Sequence, residues 1–568
     1  MTRRDAVAVT ALGDSGTVQA LRGRTLVAAA AGIWVAQLTM AVPSVLNGLF
    51  QADYGPTSAQ LTWITAIFLL PITLLELTFG LLGDLFGRKR LLVGGAALMA
   101  AGMLIAVLSP GPGTATAVRL AVQWTGQAVC GIGAAAIIPT SLAVVAAGTH
   151  TTAERSRGLT VWSVALVTGG LVAPVLAGWL ADYSFGRDPD SGWRWTFLAC
   201  MVFAVVSCLL SLRADDSRDP VGRSLDWPGQ VTVAVALLGL LFAVIQGPTS
   251  GWGSALVVGG FAVAAVFLSL FVAVELRTAA PLLQLRLFGH RPFAAAALAN
   301  LLGMFAYLGT GYATSIRLSA IQGFTPLHAS LAFIGFNGMA LVLSPLIRRA
   351  LASVTPRWIL GIGLVLIAAG DFWLATLPVT DVSVAPVIVP LIIAGAGFAL
   401  SVSSVAAVTV NTVPRHMIGM ASGANGMIRD LGFALAPAIL GAVALSRAAN
   451  SIASAVSASP ALQHAVAGFY AAPALAPAAD RAQLQTAVGA VRSGPLGANG
   501  VPATVPGPDG KAIPFNPLHE AAFHALGGAY SLAYLIAGIA AAAAVLVTVT
   551  LITGGRELDG EGGDSTDR

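Results

Sequence analysis

The chain has 568 residues, 56% of them hydrophobic and only 10% charged, with a formal net charge of +5 and a mean hydropathy of +0.82. A soluble domain carries about 25% charged residues, so the charged shell that a soluble fold of this size needs is missing, and a bilayer supplies the solvent instead. The basic excess, 28 Arg and 2 Lys against 25 acids, sits in short clusters between apolar runs; it is a topology signal and not a nucleic-acid surface.

The first two dozen residues are polar and carry Arg3, Arg4, Arg22 and Arg24. The apolar run from Leu26 is too long for the core of a cleavable signal peptide, so the first helix is expected to be retained. A spanning helix needs about 20 apolar residues. Such runs lie at 26–50, 62–82, 91–109, 118–147, 159–182, 195–212, 229–246, 254–274, 292–316, 327–347, 358–377, 386–412, 419–446 and 527–553. Their length and the lack of period-two alternation predict helices, not barrel strands. The three cysteines, Cys130, Cys200 and Cys208, fall inside these runs and read as small core residues. With the N-terminus in the cytoplasm, 21 of the 30 basic residues fall in cytoplasmic segments, the asymmetry of the positive-inside rule. An even count of fourteen helices with both termini cytoplasmic, in a bacterial plasma (inner) membrane, is expected.

An internal repeat is visible. Gly131 and Gly133 open a run followed 43 residues after Gly131 by Pro174; Gly395 and Gly397 open another, followed 42 residues after Gly395 by Pro437. The offset of 264 residues makes helices 1–6 and 9–14 parallel copies, with helices 7 and 8 inserted. The expected domains are a tail at 1–24, a six-helix bundle at 25–212, a loop at 213–228, the inserted helices at 229–275, a loop at 276–291, a second six-helix bundle at 292–553 and a tail at 554–568. Residues 447–526, rich in Ala, Pro and Gly, read as a long extracellular loop, part flexible and part short helix, and as a solvated linker in preference to a functional lid.

Between helices 2 and 3 stands Gly80, Gly83, Asp84, Gly87, Arg88, Lys89 and Arg90. The glycines permit close packing and a sharp turn, the basic triplet pins the loop to the cytoplasmic face, and Asp84 can pair with an arginine or cap a helix. The spacing G-x-x-x-D-x-x-G-R-K exceeds charge bias. Here the chain resembles the major facilitator superfamily, whose signature loop has this pattern. Ala173, Pro174 and Gly178, with Gly169 a turn earlier, resemble its antiporter motif in helix 5, with Ala at two glycine positions. Trp193-Arg194-Trp195 before helix 6, Leu225-Asp226-Trp227 before helix 7, Glu275 and Arg277 with Pro281, Gln322 to Pro326 before helix 10, and Gly423 to Gly432 in helix 13 resemble the fourteen-helix drug:proton antiporters. The resemblance runs from helix 1 to helix 14 and implies an all-α membrane fold of two six-helix bundles plus two inserted helices. It also implies export of drugs, antibiotics or metabolites in exchange for protons.

Two positions depart from that family. Trp34 stands where members often carry an Asp in helix 1, and Gln127 where they often carry an Arg in helix 4. Losing both is coherent, since either charge alone at mid-membrane is costly. Glu76, eight residues before Asp84 in helix 2 and so roughly 12 Å deeper, is the expected replacement proton carrier; the competing reading is a neutral Glu bonded to a neighbouring helix. Arg429 and Asp430 are adjacent and point about 100° apart, so they need not pair directly, and a structural ion network is the blander reading. Asp371 reads as a snorkelling or locally paired acid. Trp34, Trp162 and Tyr307, with Gln37, Gln127, Asn300, Asn337, Asn425 and Arg429, fall on helices that line the path in that family; rings there can stack flat or cationic ligands, and amides can line a watered cavity or bond between helices.

The expected function is therefore secondary active export of hydrophobic or amphipathic small molecules by alternating access. The partners are substrate, protons and lipid, in a monomer without nucleic acid. A facilitator or importer without the usual coupling, or a non-transporting membrane sensor, are the alternatives. No nucleophile–base constellation, metal-ligand spacing or phosphate loop points to an enzyme, a metal or a cofactor.

Overall fold

The computed structural model describes residues 22–149, 151–185, 189–218, 225–278, 281–411, 418–506 and 511–552. The expected tails at 1–24 and 554–568 lie outside these residues, apart from Arg22 to Arg24. Fourteen described helices are long and apolar enough to cross a membrane, and the chain is a multi-pass membrane protein.

The first half contains α1 (Gly23–Ala41), α2 (Pro43–Tyr54), α3 (Ser58–Phe86), α4 (Arg88–Val107), α5 (Thr116–Ala147), α6 (Thr152–Ala181) and α7 (Trp193–Leu212). The predicted first helix is thus two pieces, and Pro43 opens the second, where its missing N–H removes no bond that a first turn would make. A hairpin of α8 (Trp227–Ser250) and α9 (Ala255–Arg277) follows. The second half contains α10 (Arg291–Ser315), which runs on through a π-helical turn at Ile316–Ile321, then α11 (Pro326–Ser353), α12 (Pro356–Thr376), α13 (Ala385–Asn411), α14 (Ile418–Ala458) and α18 (His519–Leu551). Between α14 and α18 lie α15 (Pro460–Leu475), α16 (Ala478–Arg492), α17 (Pro495–Gly500) and a two-stranded hairpin, β1 (Thr504–Pro506) with β2 (Ala512–Pro514). The helix expected to end at 446 therefore continues to Ala458, and the last begins at His519, not 527.

The two halves repeat in packing. In the first, α1 lies on α6 and α7, α3 on α5, and α4 on α5 and α7; in the second, α10 lies on α14 and α18, α11 on α13, and α12 on α13 and α18. The glycines explain why sequence carries this repeat. A methyl at Gly131 would strike the carbonyl of Phe68, and one at Gly395 that of Phe336; likewise Gly133 abuts Gly95, and Gly397 abuts Gly363. Helix backbones approach this closely only where side chains are absent. The turns repeat as well. Gly55 (φ +56°) and Gly323 (φ +70°), 268 residues apart, both take the left-handed backbone that glycine adopts freely. Each is followed by a threonine, Thr57 or Thr325, whose hydroxyl caps the next helix.

The bundles meet along two seams, α6 against α11 and α3 against α14. The inserted hairpin lies across the second seam through α8, which touches both α3 and α14. Gln230 of α8 donates to the carbonyl of Leu74 (2.5 Å) and accepts from Thr78 (2.5 Å). Asp226 caps α8 by accepting from Gly229 N–H at 2.8 Å.

Candidate functional site

Positions 76, 80 and 84 share one face of α3, since helix neighbours recur every three to four residues. Around this face the structure brings together five sequence-predicted residues from both bundles, Glu76, Arg429, Asp430, Asn300 and Asn425. Arg429 of α14 lies 3.4 Å from Glu76 and also reaches Asp430, with Nε 2.7 Å from one oxygen and a terminal nitrogen 3.1 Å from the other. The two adjacent residues do pair, because the long arginine side chain folds back to meet its neighbour, and with Glu76 they make an ion network. Thr73, one turn before Glu76, donates to the carbonyl of Asp430 at 3.0 Å. Gly426 faces the Glu76 carboxylate, and a methyl there would sit 3.4 Å from it. One turn away, Asn300 of α10 donates to the backbone and side-chain oxygens of Asn425, at 2.9 and 3.0 Å. The Glu76 and Asp430 side chains are 11% and 7% exposed and Arg429 26%, so the cluster is nearly dry on its acidic side. Two carboxylates face one guanidinium, and one added proton makes the group neutral. Thr73 was legible as an i−3 neighbour of Glu76; its partner on α14 was not.

A second group lies within the second bundle. Tyr307 of α10 stacks between Phe336 of α11 (4.4 Å) and Phe398 of α13 (3.7 Å), with ring planes 15° and 10° apart. Its hydroxyl donates to Asn337 at 3.0 Å. Phe398 was missed because nothing local distinguishes it from other apolar residues of α13.

The remaining path residues stand apart from these groups. Trp34 is half-buried and meets Phe203 of α7 edge-on at 5.2 Å. Gln37 is half-buried beside Gly169, and a methyl on Gly169 would strike the Trp34 carbonyl. Trp162 donates to Ser141 of α5 at 3.0 Å. Gln127 is fully buried, and neither of its amide atoms has a protein partner. Asp371 does not snorkel: it is 0% exposed, accepting from Thr310 at 2.6 Å inside the second bundle.

The motif residues mark bundle ends and seams. Arg88 reaches Asp84 at 2.8 Å, and its backbone N–H donates to Ser217 at 3.1 Å, so the signature loop is tied to the segment after α7. Gly87 (φ +107°) faces the Asp216 carboxylate, 2.7 Å from where a methyl would stand. Gly80 and Gly83 face Pro139 and Thr140 of α5, and Lys89 is half-buried. The same segment holds the start of α1, because Asp215 pairs with Arg24 and accepts from Thr25 at 2.8 Å. The Arg24 guanidinium keeps the Asp215 carboxyl below the usual carboxylate range. On α6, Ala173 and Pro174 are buried, while Gly178 crosses the seam: a methyl there would lie 2.7 Å from Leu327 of α11. Trp193 and Arg194 lock the opposite end of the first bundle. Trp193 donates to Asp53 at 2.7 Å, Arg119 pairs with Asp53, and Arg194 donates to the carbonyls of Val107 and Ser109, both at 2.6 Å. Among the described residues no group of three or more His, Cys, Asp or Glu side chains is placed to hold a metal ion.

Comparison with known proteins places this arrangement. The family model of the Major Facilitator Superfamily matches residues 29–437. The multidrug resistance protein Stp of Mycobacterium tuberculosis is 29% identical over 420 residues, 74% of this chain and 75% of that one. The tetracenomycin C resistance and export protein of Streptomyces glaucescens is 25% identical over 433 residues, 75% and 77% of the two chains. Among solved structures, a bacterial homologue of the human lysosomal transporter Spinster aligns with a TM-score of 0.60 at 15% identity, over 93% of this chain and 97% of that one. With its paired six-helix bundles, its signature loop and this family match, the chain belongs to the Major Facilitator Superfamily and is a membrane transporter, not an enzyme.

Proposed function

We propose that the protein exports hydrophobic or amphipathic small molecules, such as drugs, antibiotics or metabolites, in exchange for protons. The bundles at 25–212 and 292–553 rock about the two seams as a monomer in a bacterial plasma membrane, with no nucleic-acid partner. In this reading the Arg88–Arg90 hairpin and both termini face the cytoplasm, the 447–526 loop is extracellular, and the loops at 213–228 and 276–291 are cytoplasmic.

The observation that carries the reading is the pairing of Glu76 on one bundle with Arg429 on the other, at 3.4 Å across the α3–α14 seam. Intramembrane acids are functional by default, and two carboxylates against one guanidinium leave room for one proton. Protonation of Glu76 releases its hold on Arg429, while Arg429 keeps Asp430. The charge state thereby biases a contact that differs between the two arrangements of the bundles, and only such differential contacts shift the populations. Asp84, Arg88 and Lys89 with Gly80, Gly83 and Gly87 act as the conformational gate on the cytoplasmic side. Gly169, Ala173, Pro174 and Gly178 let α6 pack closely on α1 and α11. Trp34, Gln37, Gln127, Trp162, Asn300, Tyr307, Asn337, Asn425 and Arg429 are the proposed contacts along the substrate path. The names of the relatives, a multidrug resistance protein and an antibiotic export protein, support export and the substrate class.

Everted vesicles test the direction and the coupling together. An inside-acid gradient is expected to drive accumulation of an exported drug, and collapsing the gradient to release it. Equilibration without accumulation under the same gradient would mean a facilitator, the reading that the uncharged Trp34 and Gln127 favour. Accumulation only with the gradient reversed would mean a proton-coupled importer.

A further inference from the structure

The described residues between α14 and α18 form a folded cap. Phe469, Val488, Val491, Val501 and Leu518 form an apolar core of its own, and Asn516 ties it internally by donating to Ala498 (2.7 Å) and Val501 (2.9 Å). Because α14 enters it and α18 leaves it, the cap is covalently part of the second bundle. Its short helix α17 nevertheless reaches across, touching α2 and α3 of the first bundle as well as the π-helical turn that ends α10. On the second-bundle side, Asn499 donates to the carbonyls of Ala320 (3.0 Å) and Ile321 (3.1 Å), the last residues of that turn. The end of a helix leaves its last carbonyls without intrahelical partners, and Asn499 satisfies two of them. Leu496 of α17 is 2% exposed and joins the apolar core that runs through both bundles. Gly494 stands over Ser58 at the start of α3. Directly beneath α17 the two bundles also touch each other: Asn47 of α2 donates to Ser315 at 2.9 Å, and Gly48 packs on Ser319.

We propose that α17 is a wedge, carried by the second bundle, that holds shut the end of the transporter opposite the Arg88–Arg90 hairpin. Opening that end must pull α2 and α3 away from α17, whose Leu496 is sealed in the shared core, whereas Asn499 keeps the wedge seated on the π turn. The cap thus sets how often the far end opens. The inference rests on alternating access as proposed above, but its test reads opening directly and needs no transported substrate.

The reporter is Ser319→Cys in a chain whose Cys130, Cys200 and Cys208 are replaced by Ala, labelled with a hydrophilic maleimide in purified protein. Leu496→Ala and Asn499→Ala are each expected to raise the labelling rate by about tenfold, equivalent to about 1.4 kcal/mol. Leu475→Ala, at an 84% exposed position of the cap, is expected to change nothing. A second reporter pairs Gly48→Cys with Ser319→Cys, since a Cβ at residue 48 lies 3.0 Å from that of Ser319, close to the roughly 3.5–4.5 Å that a disulfide spans. Oxidative cross-linking of this pair is expected to slow in the same two variants. Limited proteolysis within 459–518 shows whether the cap keeps its fold. Labelling and cross-linking at parent rates in both variants, with the cap folded or not, overturn the wedge. Changed rates in a protein that moves no drug leave the wedge standing and reject the transport reading alone.

Discussion

Replacing Glu76 by Gln tests the charge arithmetic of the α3–α14 seam. The variant keeps the shape of the side chain and leaves Arg429 paired with Asp430 at 2.7 Å, so the seam becomes one cation against one anion with no place for a proton. In a one-for-one exchange, each unit of imposed pH difference sustains about a tenfold substrate gradient, ~1.4 kcal/mol. Vesicles under a pH difference of ~2 units should therefore concentrate a drug up to about a hundredfold with the parent protein and about onefold with Glu76→Gln. Counterflow of labelled against unlabelled drug moves no net proton and should persist in the variant. Glu76→Asp keeps the acid and should restore part of the concentrative uptake. Arg429→Gln should behave differently, because it leaves two nearly buried carboxylates with no cation. Breaking a buried pair from one side costs about 3–5 kcal/mol, and the partial exposure of Arg429 reduces this to ~2 kcal/mol. Its melting temperature in detergent should fall while that of Glu76→Gln stays near the parent value. Gradient-driven accumulation by Glu76→Gln equal to that of the parent would refute the proton role. An Arg429→Gln variant as stable as the parent would refute the pairing.

Three further outcomes are expected. Gly131→Ala and Gly395→Ala each drive a methyl into a backbone carbonyl of the neighbouring helix and should destabilise by about 1–3 kcal/mol; Gly170→Ala, with open space at its Cα, should be neutral or slightly stabilising in the same thermal assay. Gly178→Leu places bulk between α6 and α11 and should reduce export without preventing membrane insertion; unchanged drug resistance in cells would show that the seam tolerates separation. Asp215 is held below its ordinary range by Arg24, so its stabilisation of the α1–α7 end is present above the unfolded carboxylate pKa and is lost as pH falls through the lower folded value. Asp215→Asn should erase this small acid-side dependence of stability, and a parent protein whose stability is flat below about pH 4 would contradict it.

What the chain reveals by itself follows from local physics. Runs of about 20 apolar residues must be helices in lipid, because no water is there to satisfy the backbone, so fourteen spans were legible one at a time. The glycine spacing at Gly131 and Gly395 was legible because a glycine that admits a neighbouring backbone recurs wherever the same packing recurs. The signature loop from Gly80 to Lys89 was legible for the same reason, each residue serving a turn or a charge within ten positions. The tertiary structure alone decided which of these residues face one another. Glu76 and Arg429 are 353 positions apart, and no periodicity links them; only the contact of α3 with α14 does. Tyr307 finds Phe398, Trp34 turns to Phe203, and Asp371 is sealed against Thr310, each according to how helices rotate about their axes, which uniform hydropathy leaves unspecified. In the 447–526 stretch, alanine and proline content fits linker and helix alike, and burial of Phe469 in a core of the cap's own and of Leu496 in the core of the bundles makes its described residues a folded cap. Helix existence is a transaction between each segment and its solvent, whereas helix rotation and partner choice depend on side chains brought close only when both bundles assemble.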